Sequence, residues 1–372
     1  MKKALVHDWY YVNGGAEKVI CSINNIWADF DHYALIDFLN DKDRTSIFVG
    51  NSSKVNTSFI QNLPTAKSNH RKFLDLFPLA IEQFDLTEYD LIISSSASIA
   101  KGVLSSSNQL HISYIHSPMR YAWDLYNQYL NDSNLKGIKG WYAKKVLSKI
   151  RVWDVINTNR VDYIIANSNY IAKRIKKVYR RDAIVIYPPV NTEAYALERV
   201  KEDYYITVSR LVPYKKVNLI VEAFSKMENK KLLVIGDGPE MSKLKSLATK
   251  NIEFLGHISL TEMIKHLQKA KVFIFAAEED FGIVPVEAQA CGTPVLAYGK
   301  GGALETIEDG VSGSFFNEQT ANAIIEGVNK IKNINFDPEK VRNNAKKFGK
   351  NRFEKEFKET VEKLYSDWKE KK

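Results

Sequence analysis

The chain has 372 residues, 45% of them hydrophobic and 26% charged, an ordinary globular composition on a length comfortable for two cores. Its two cysteines, Cys21 and Cys291, exclude a disulfide framework or a four-thiolate metal site. No stretch reaches the roughly 18 apolar residues of a membrane-spanning helix, and the opening Ala4-Leu5-Val6 stops at His7-Asp8, short of a signal-peptide core, so the expectation is a cytoplasmic protein.

Taken in chain order, short Val/Ile-rich runs predict strands at Ala4–His7, Tyr33–Ile36, Ser46–Val49, Leu91–Ser94, His111–Ile115, Tyr163–Ala166 and Ile184–Tyr187. A second series comes after it at Tyr205–Val208, Leu232–Ile235, Ile252–Leu255, Val272–Phe275, Pro294–Ala297 and Gly313–Phe316. Several are apolar on both faces, as parallel strands covered by helices must be. Helical spacing lies between them, as in Val19, Ile20, Ile23, Ile26 and Trp27, and in Leu219, Ile220, Ala223 and Phe224. The alternation predicts an α/β protein of two doubly wound Rossmann-like domains. Tyr187-Pro188-Pro189-Val190 breaks the first series and places the boundary near it. The expected domains are 1–190 and 191–351. A final helix, 352–372, carries the stripe Phe353, Phe357, Val361, Leu364 and Trp368 and is expected to pack back on the first domain.

The net charge of +9 is unevenly spread. Lys136 to Arg181 holds 13 Lys/Arg against Asp154 and Asp162. Two stretches, 136–151 and 70–77, mix cations with aromatics, which suits either an anionic membrane surface or a solvated helix face. No recognised nucleic-acid module accompanies the charge, so no nucleic-acid partner is expected.

Four constellations carry chemistry. Glu279-Asp280-Phe281-Gly282-Ile283-Val284-Pro285-Val286-Glu287 comes after a strand and sets two carboxylates seven residues apart, around a glycine and a helix start. Carboxylates accept from paired sugar hydroxyls; the bland reading is an acidic loop and a helix-start Glu. Arg210 comes after another strand with Lys215 five residues on, a fork and a point charge that suit a diphosphate, or else two surface cations. Asn13-Gly14-Gly15-Ala16-Glu17 opens a helix and can bring backbone N–H groups to an anion, or simply turn the chain. His116-Ser117-Pro118 ends a strand, where the histidine serves either a sugar hydroxyl or the structure. Asp41-Lys42-Asp43 is an Asp-x-Asp, but it falls in a polar turn and is read as structural.

Together with Val6-His7-Asp8-Trp9, Ser94-Ser95-Ser96, Ala100-Lys101-Gly102, Gly236-Asp237-Gly238-Pro239 and Ala290-Cys291-Gly292-Thr293-Pro294-Val295, these segments resemble family four of the retaining glycosyltransferases. The resemblance runs along essentially the whole chain. It implies the GT-B architecture, with two Rossmann-like domains facing a cleft. His116-Ser117-Pro118-Met119-Arg120-Tyr121-Ala122-Trp123-Asp124 looks closest to bacterial O-antigen and polysaccharide mannosyltransferases that use GDP-mannose.

By this resemblance Arg210 and Lys215 hold the donor diphosphate, and Glu287 binds ribose. Glu279 contacts the donor sugar, and the backbone at Phe281, Gly282 and Ile283 closes over sugar and phosphate. Gly14 and Gly15 meet the donor from the other domain, and His116 contacts the transferred sugar. No metal or other cofactor is implied. The acceptor would be a glycan or a lipid-linked oligosaccharide, at the cytoplasmic face of the inner membrane. A different nucleotide-sugar donor, or a nucleotide-sugar epimerase on the same fold, are the alternatives. Two positions depart from the family pattern. Lys216 stands where many relatives have Gly, which bears on the local turn, and Asn191 stands where many have Asp.

Overall fold

The computed structural model describes residues 1–48, 54–132 and 137–371. They form two compact units, Met1–Pro188 with Phe353–Lys372, and Pro189–Arg352. Among the described residues no helix is long and apolar enough to cross a membrane.

The first unit is built on seven strands: β1 (Lys3–His7), β2 (Phe30–Ala34), β3 (Val55–Thr57), β4 (Leu91–Ser96), β5 (Leu110–Ile115), β6 (Tyr163–Ala166) and β7 (Ile184–Val185). All pair in parallel, in the order β3-β2-β1-β4-β5-β6-β7. β1, β4 and β5 are buried along their whole length, which is why they read as unbroken apolar or small-residue runs. The second unit has β8 (Tyr204–Val208), β9 (Lys231–Ile235), β10 (Ile252–Gly256), β11 (Val272–Phe275), β12 (Val295–Tyr298) and β13 (Gly313–Phe316). Their order is β10-β9-β8-β11-β12-β13, again parallel. Strand order reverses between β1 and β4 in one sheet and between β8 and β11 in the other. Such switch points open a crevice at the carboxyl ends of the strands.

Six helices position the site loops and complete the cores: α1 (Gly15–Ile26), α2 (Asp41–Ile47), α3 (Gly137–Asn157), α4 (Val217–Ser225), α5 (Ile283–Ala290) and α6 (Lys350–Glu370). α1 buries Val19, Ile20 and Ile23 on one stripe. α6 buries Phe353, Phe357, Val361 and Leu364 in the core of the first unit, with the Phe353 and Phe357 rings 6.0 and 6.2 Å from that of Tyr114.

Three strand expectations need correction. Of the strand expected at Ser46–Val49, the described residues Ser46, Ile47 and Phe48 form none. Ser46 and Ile47 end α2, and Val49 lies outside the described residues. The Asn40 side chain accepts from the Asp43 N–H at 2.9 Å and starts a helix, which outweighs the β preference of Ile47 and Phe48. Asp41-Lys42-Asp43 is therefore the first turn of that helix. The strand expected at Tyr33–Ile36 runs over Phe30–Ala34, in register with Lys3–His7, while Leu35 and Ile36 are buried beyond its end. The strand expected at Ile184–Tyr187 is only the edge pair Ile184–Val185.

Candidate functional site

The second unit places its two charged constellations on opposite sides of one switch point. β8 ends at Val208, its loop carries Ser209 and Arg210, and a single turn, Pro213–Lys215, comes next. Arg210 is exposed and Lys215 half-buried. The neighbouring strand β11 ends at Phe275, and its loop brings Glu279 back to the first loop. There the Lys215 ammonium donates to the Glu279 carboxylate. Both side chains of the pair are under one-fifth exposed, so water screens it only partly. Lys215 also lies 5.4 Å from the Tyr214 ring centroid.

Backbone geometry fixes both loops. Gly282, at φ +90°, turns the β11 loop into α5 in a left-handed conformation that a side chain rarely adopts. Gly302 lies beneath the same loop and donates its N–H to the Glu279 carbonyl at 2.8 Å. A Cβ on Gly302 would fall 2.3 Å from the Phe281 Cα, so only glycine fits. Phe281 is buried, its ring 5.4 Å from that of Phe348. Lys216 takes φ +56° at the start of α4. The lysine noted in the sequence where the resemblance leads one to expect glycine thus places a side chain in a left-handed turn.

Glu287 sits on α5, 3% exposed. Tyr195 hydrogen-bonds it, and burial, then the Glu287 charge, drives the Tyr195 hydroxyl well above its ordinary range. The phenol therefore stays protonated and donates to the carboxylate. Ile283 is half-buried at the first turn of α5.

In the first unit the ends of β1, β4 and β5 are joined by hydrogen bonds. His7 shares a 3.1 Å hydrogen bond between Nδ1 and the Ser95 carbonyl, and its Nε2 is 3.6 Å from Glu17. Burial lowers the His7 pKa, but the Glu17 hydrogen bond and charge more than offset it, so the net shift is upward. The carbonyl and the carboxylate thus both favour the protonated ring. Ser95 Oγ lies 2.8 Å from His116 Nε2. Burial, then the His7 charge, pushes His116 down to about 3. A neutral His116 offers a hydroxyl a hydrogen bond but no charge. Asp8 accepts from the N–H groups of Ala97, Ile99 and Ala100 at 2.6 to 2.7 Å and shapes the loop after β4.

Gly14 caps α1, and its N–H donates to the Glu17 carboxylate at 3.0 Å. That donor is engaged within the helix cap, and Gly15 is the first residue of α1. Gly14, Gly15 and His116 belong to the first unit. Arg210, Lys215, Glu279, Phe281, Gly282, Ile283 and Glu287 belong to the second.

Two supporting groups, Gly301-Gly302 and Tyr195, escape a reading of the sequence, and Asp8, quoted there only as part of a motif, gains its loop-shaping role from the structure. A double glycine after a strand is the available signal for the first. Asp8 and Tyr195 act on residues about 90 positions away, which no local pattern reveals.

Two family models match the chain: Glycosyltransferase Family 4 over residues 14–194 and Glycosyl transferases group 1 over residues 191–348. The chain belongs to glycosyltransferase family 4. An uncharacterized glycosyltransferase of Methanocaldococcus jannaschii is 32% identical over 199 residues, covering 52% of this chain and 56% of the relative. A GDP-mannose-dependent monoacylated alpha-(1-6)-phosphatidylinositol monomannoside mannosyltransferase of Corynebacterium glutamicum is 39% identical over 114 residues, covering 27% of this chain and 30% of the relative. The chain thus spans about half, or less, of the length of these curated relatives. Among solved structures, Anabaena HepE with UDP and glucose aligns at TM-score 0.68 and 19% identity, covering 97% of this chain and 100% of that one. At that identity the likeness establishes the two-domain α/β fold of this glycosyltransferase family member.

Proposed function

We propose that this family 4 chain is a retaining glycosyltransferase whose second unit holds a nucleotide-sugar donor. One observation carries the reading. Arg210 and Lys215 lie on one side of the β8/β11 switch point, with Glu279 and Glu287 on the other, where open α/β sheets hold ligands. In this reading Arg210 and Lys215 take the diphosphate, Glu287 takes ribose hydroxyls, and Glu279 takes a hydroxyl of the sugar. Phe281, Gly282 and Ile283 form the wall behind the sugar and phosphate. The diphosphate competes with Glu279 for the Lys215 ammonium, so donor binding redistributes an existing ion pair. Gly15 and His116 belong to the first unit, where the neutral His116 ring can hydrogen-bond a sugar hydroxyl.

The acceptor hydroxyl attacks the anomeric carbon from the face that the diphosphate leaves. The new C–O bond forms as the bond to the diphosphate breaks, and the hydroxyl proton passes to a departing phosphate oxygen. Arg210 and Lys215 stabilise the charge that develops there. Their cations fill the part that a divalent metal plays in other glycosyl transfers, so the reading is metal-independent.

Mannose from GDP-mannose is the favoured donor, since the Corynebacterium relative is named for that dependence. The acceptor is a glycan or lipid-linked oligosaccharide of a surface polysaccharide such as O-antigen, built at the cytoplasmic face of the inner membrane. Thermal shift with GDP, UDP and ADP sugars tests the donor, because a ligand at 100 times its Kd adds about 2.7 kcal/mol. GDP-mannose should stabilise the chain most. Stabilisation by UDP-sugars with none by GDP-mannose overturns the donor assignment, and silence from all three classes overturns the function.

A further inference from the structure

The first unit carries a groove that the proposed transfer does not use. One wall is the segment 69–75 and the other is α3, and the hollow between them measures about 580 Å3. The Tyr142 hydroxyl ties the two walls by donating to Asp75 at 2.9 Å. Leu74, Ala143, Val146 and Leu147 make the floor apolar. A second hollow of about 370 Å3 continues along α3, sharing Asp75, Tyr142 and Val146.

The rim differs from the floor in two ways. Ile138, Trp141 and Tyr142 are 86, 63 and 51% exposed, so large apolar side chains stand in solvent at the mouth. Around them the same two segments carry Arg71, Lys72, Lys139, Lys144, Lys145, Lys149 and Arg151 against Asp75 and Asp154, and Asp154 is fully buried and paired with Lys101, which leaves Asp75 as the acid at the rim. Lys145 lies 5.2 Å from the Trp141 ring centroid. An ordinary solvated helix face has its charges outside and its apolar residues inside. Here α3 buries Val146, Leu147 and Ile150 and also exposes Ile138, Trp141, Tyr142, Val152 and Ile156. Cations alone would suit any polyanion. Exposed Trp, Tyr and Ile interleaved with lysines match the interface of a bilayer, where aromatic rings sit at headgroup level and lysines meet anionic headgroups.

We propose that this face docks on an anionic phospholipid bilayer and that the groove takes one acyl chain of a bound phospholipid. The headgroup sits among Arg71, Lys72 and Lys139, and the chain lies against Leu74, Ala143, Val146 and Leu147. Each methylene so buried tightens binding roughly fourfold. Each lysine near an anionic surface contributes about 1 kcal/mol, so Lys139→Ala with Lys145→Ala weakens vesicle binding roughly thirtyfold.

The test uses the full chain with two probes. The first is phosphatidylcholine vesicles with and without one-quarter phosphatidylglycerol. The second is monomeric lysophosphatidylglycerol, below its micelle concentration, which offers one acyl chain and the same headgroup. The chain should co-sediment only with the anionic vesicles, less as salt rises, and should bind the lysolipid at one per chain. Bromines on the vesicle acyl chains should quench tryptophan emission, and Trp141→Phe should remove that quenching. Ala143→Phe should fill the groove and abolish lysolipid binding with the lysines intact. Should that variant fail to fold, Trp141→Ala, at an exposed position, should weaken lysolipid binding at least fivefold.

Vesicle binding without lysolipid binding overturns the acyl-chain groove. Equal binding to neutral and anionic vesicles, or none to either, overturns the docking surface, as does a lipid-free dimer that protects Trp141 from an aqueous quencher. The donor thermal shift of the same variants should equal that of the parent chain, so failure here leaves the transferase reading standing, and its failure leaves this one standing.

Discussion

At the scale of single residues, the Lys215–Glu279 pair is the point on which the donor reading turns. Lys215→Ala removes a charge-assisted contact to the diphosphate, worth about 1.5–3 kcal/mol, so donor affinity by calorimetry should fall roughly 10- to 100-fold. Glu279→Gln keeps the shape and removes the competing charge. It should hold or improve affinity for the nucleoside diphosphate alone while transfer drops by at least tenfold. Equal losses of binding in both variants would assign the pair a purely structural part. Lys216 gives an independent check. A left-handed non-glycine residue costs about 1–2 kcal/mol, partly offset by glycine's greater unfolded-state freedom. Lys216→Gly should therefore raise stability by about 0.5–1 kcal/mol in urea unfolding, and a loss would mean that its side chain contributes more than its backbone costs. These residues are legible in the sequence because polar groups at the ends of apolar strands stand out. The groups that hold them are not: Gly302 beneath Glu279, and Tyr195 on Glu287, become neighbours only through the sheet.

At the scale of elements, the buried parallel strands are the easiest to read, since β4, β5, β8 and β11 are covered on both faces and tolerate little but apolar or small residues. Edges are harder. β3 and β7 are three and two residues long and only partly buried, so little selection for hydrophobicity marks them. α2 reads as a strand because its first turn is polar and Ile47 is its only buried residue, which leaves no stripe to count. The turn from β11 into α5 depends on Gly282, where a Cβ meets no atom closer than 3.4 Å but φ is +90°. Gly282→Ala should thus cost about 1–2 kcal/mol of stability through backbone strain alone. The larger effect should fall on transfer, because Asp280 and Glu279 hang from the same loop. Turnover that falls no further than the folded fraction would detach the loop from the chemistry.

For the whole molecule, buried histidines set the acid limit. Burial pushes His32 and His111 down to about 3, the His7 charge adding to it for His32 and the Lys101 charge for His111. Both are neutral in the folded state and take up protons near pH 6.5 when unfolded. Their contribution is complete above pH 6.5 and is lost as pH falls toward 3, at up to about 1.4 kcal/mol per unit for each. His7 has the opposite sign. Its raised pKa gives stability that is complete below pH 6.5 and lost as pH climbs through the folded value. Urea unfolding between pH 4 and 8 should show a steep acid limb, made shallower by His111→Gln, and an alkaline decline removed by Glu17→Gln. An unchanged acid limb in His111→Gln would place the acid sensitivity elsewhere. The path of the chain has a separate consequence, for biosynthesis. The first unit is cut in two by the second, and Phe353, Phe357, Val361 and Leu364 complete a core begun by Leu5 and Val19. A ribosome makes that last stripe only after all of Pro189–Arg352. The unit translated first is therefore finished last, and its nascent apolar face around Tyr114 must stay shielded, by collapse or by a chaperone, while the later unit folds. A released chain truncated after Arg352 should yield a protease-resistant second unit and a first unit that still binds a holdase.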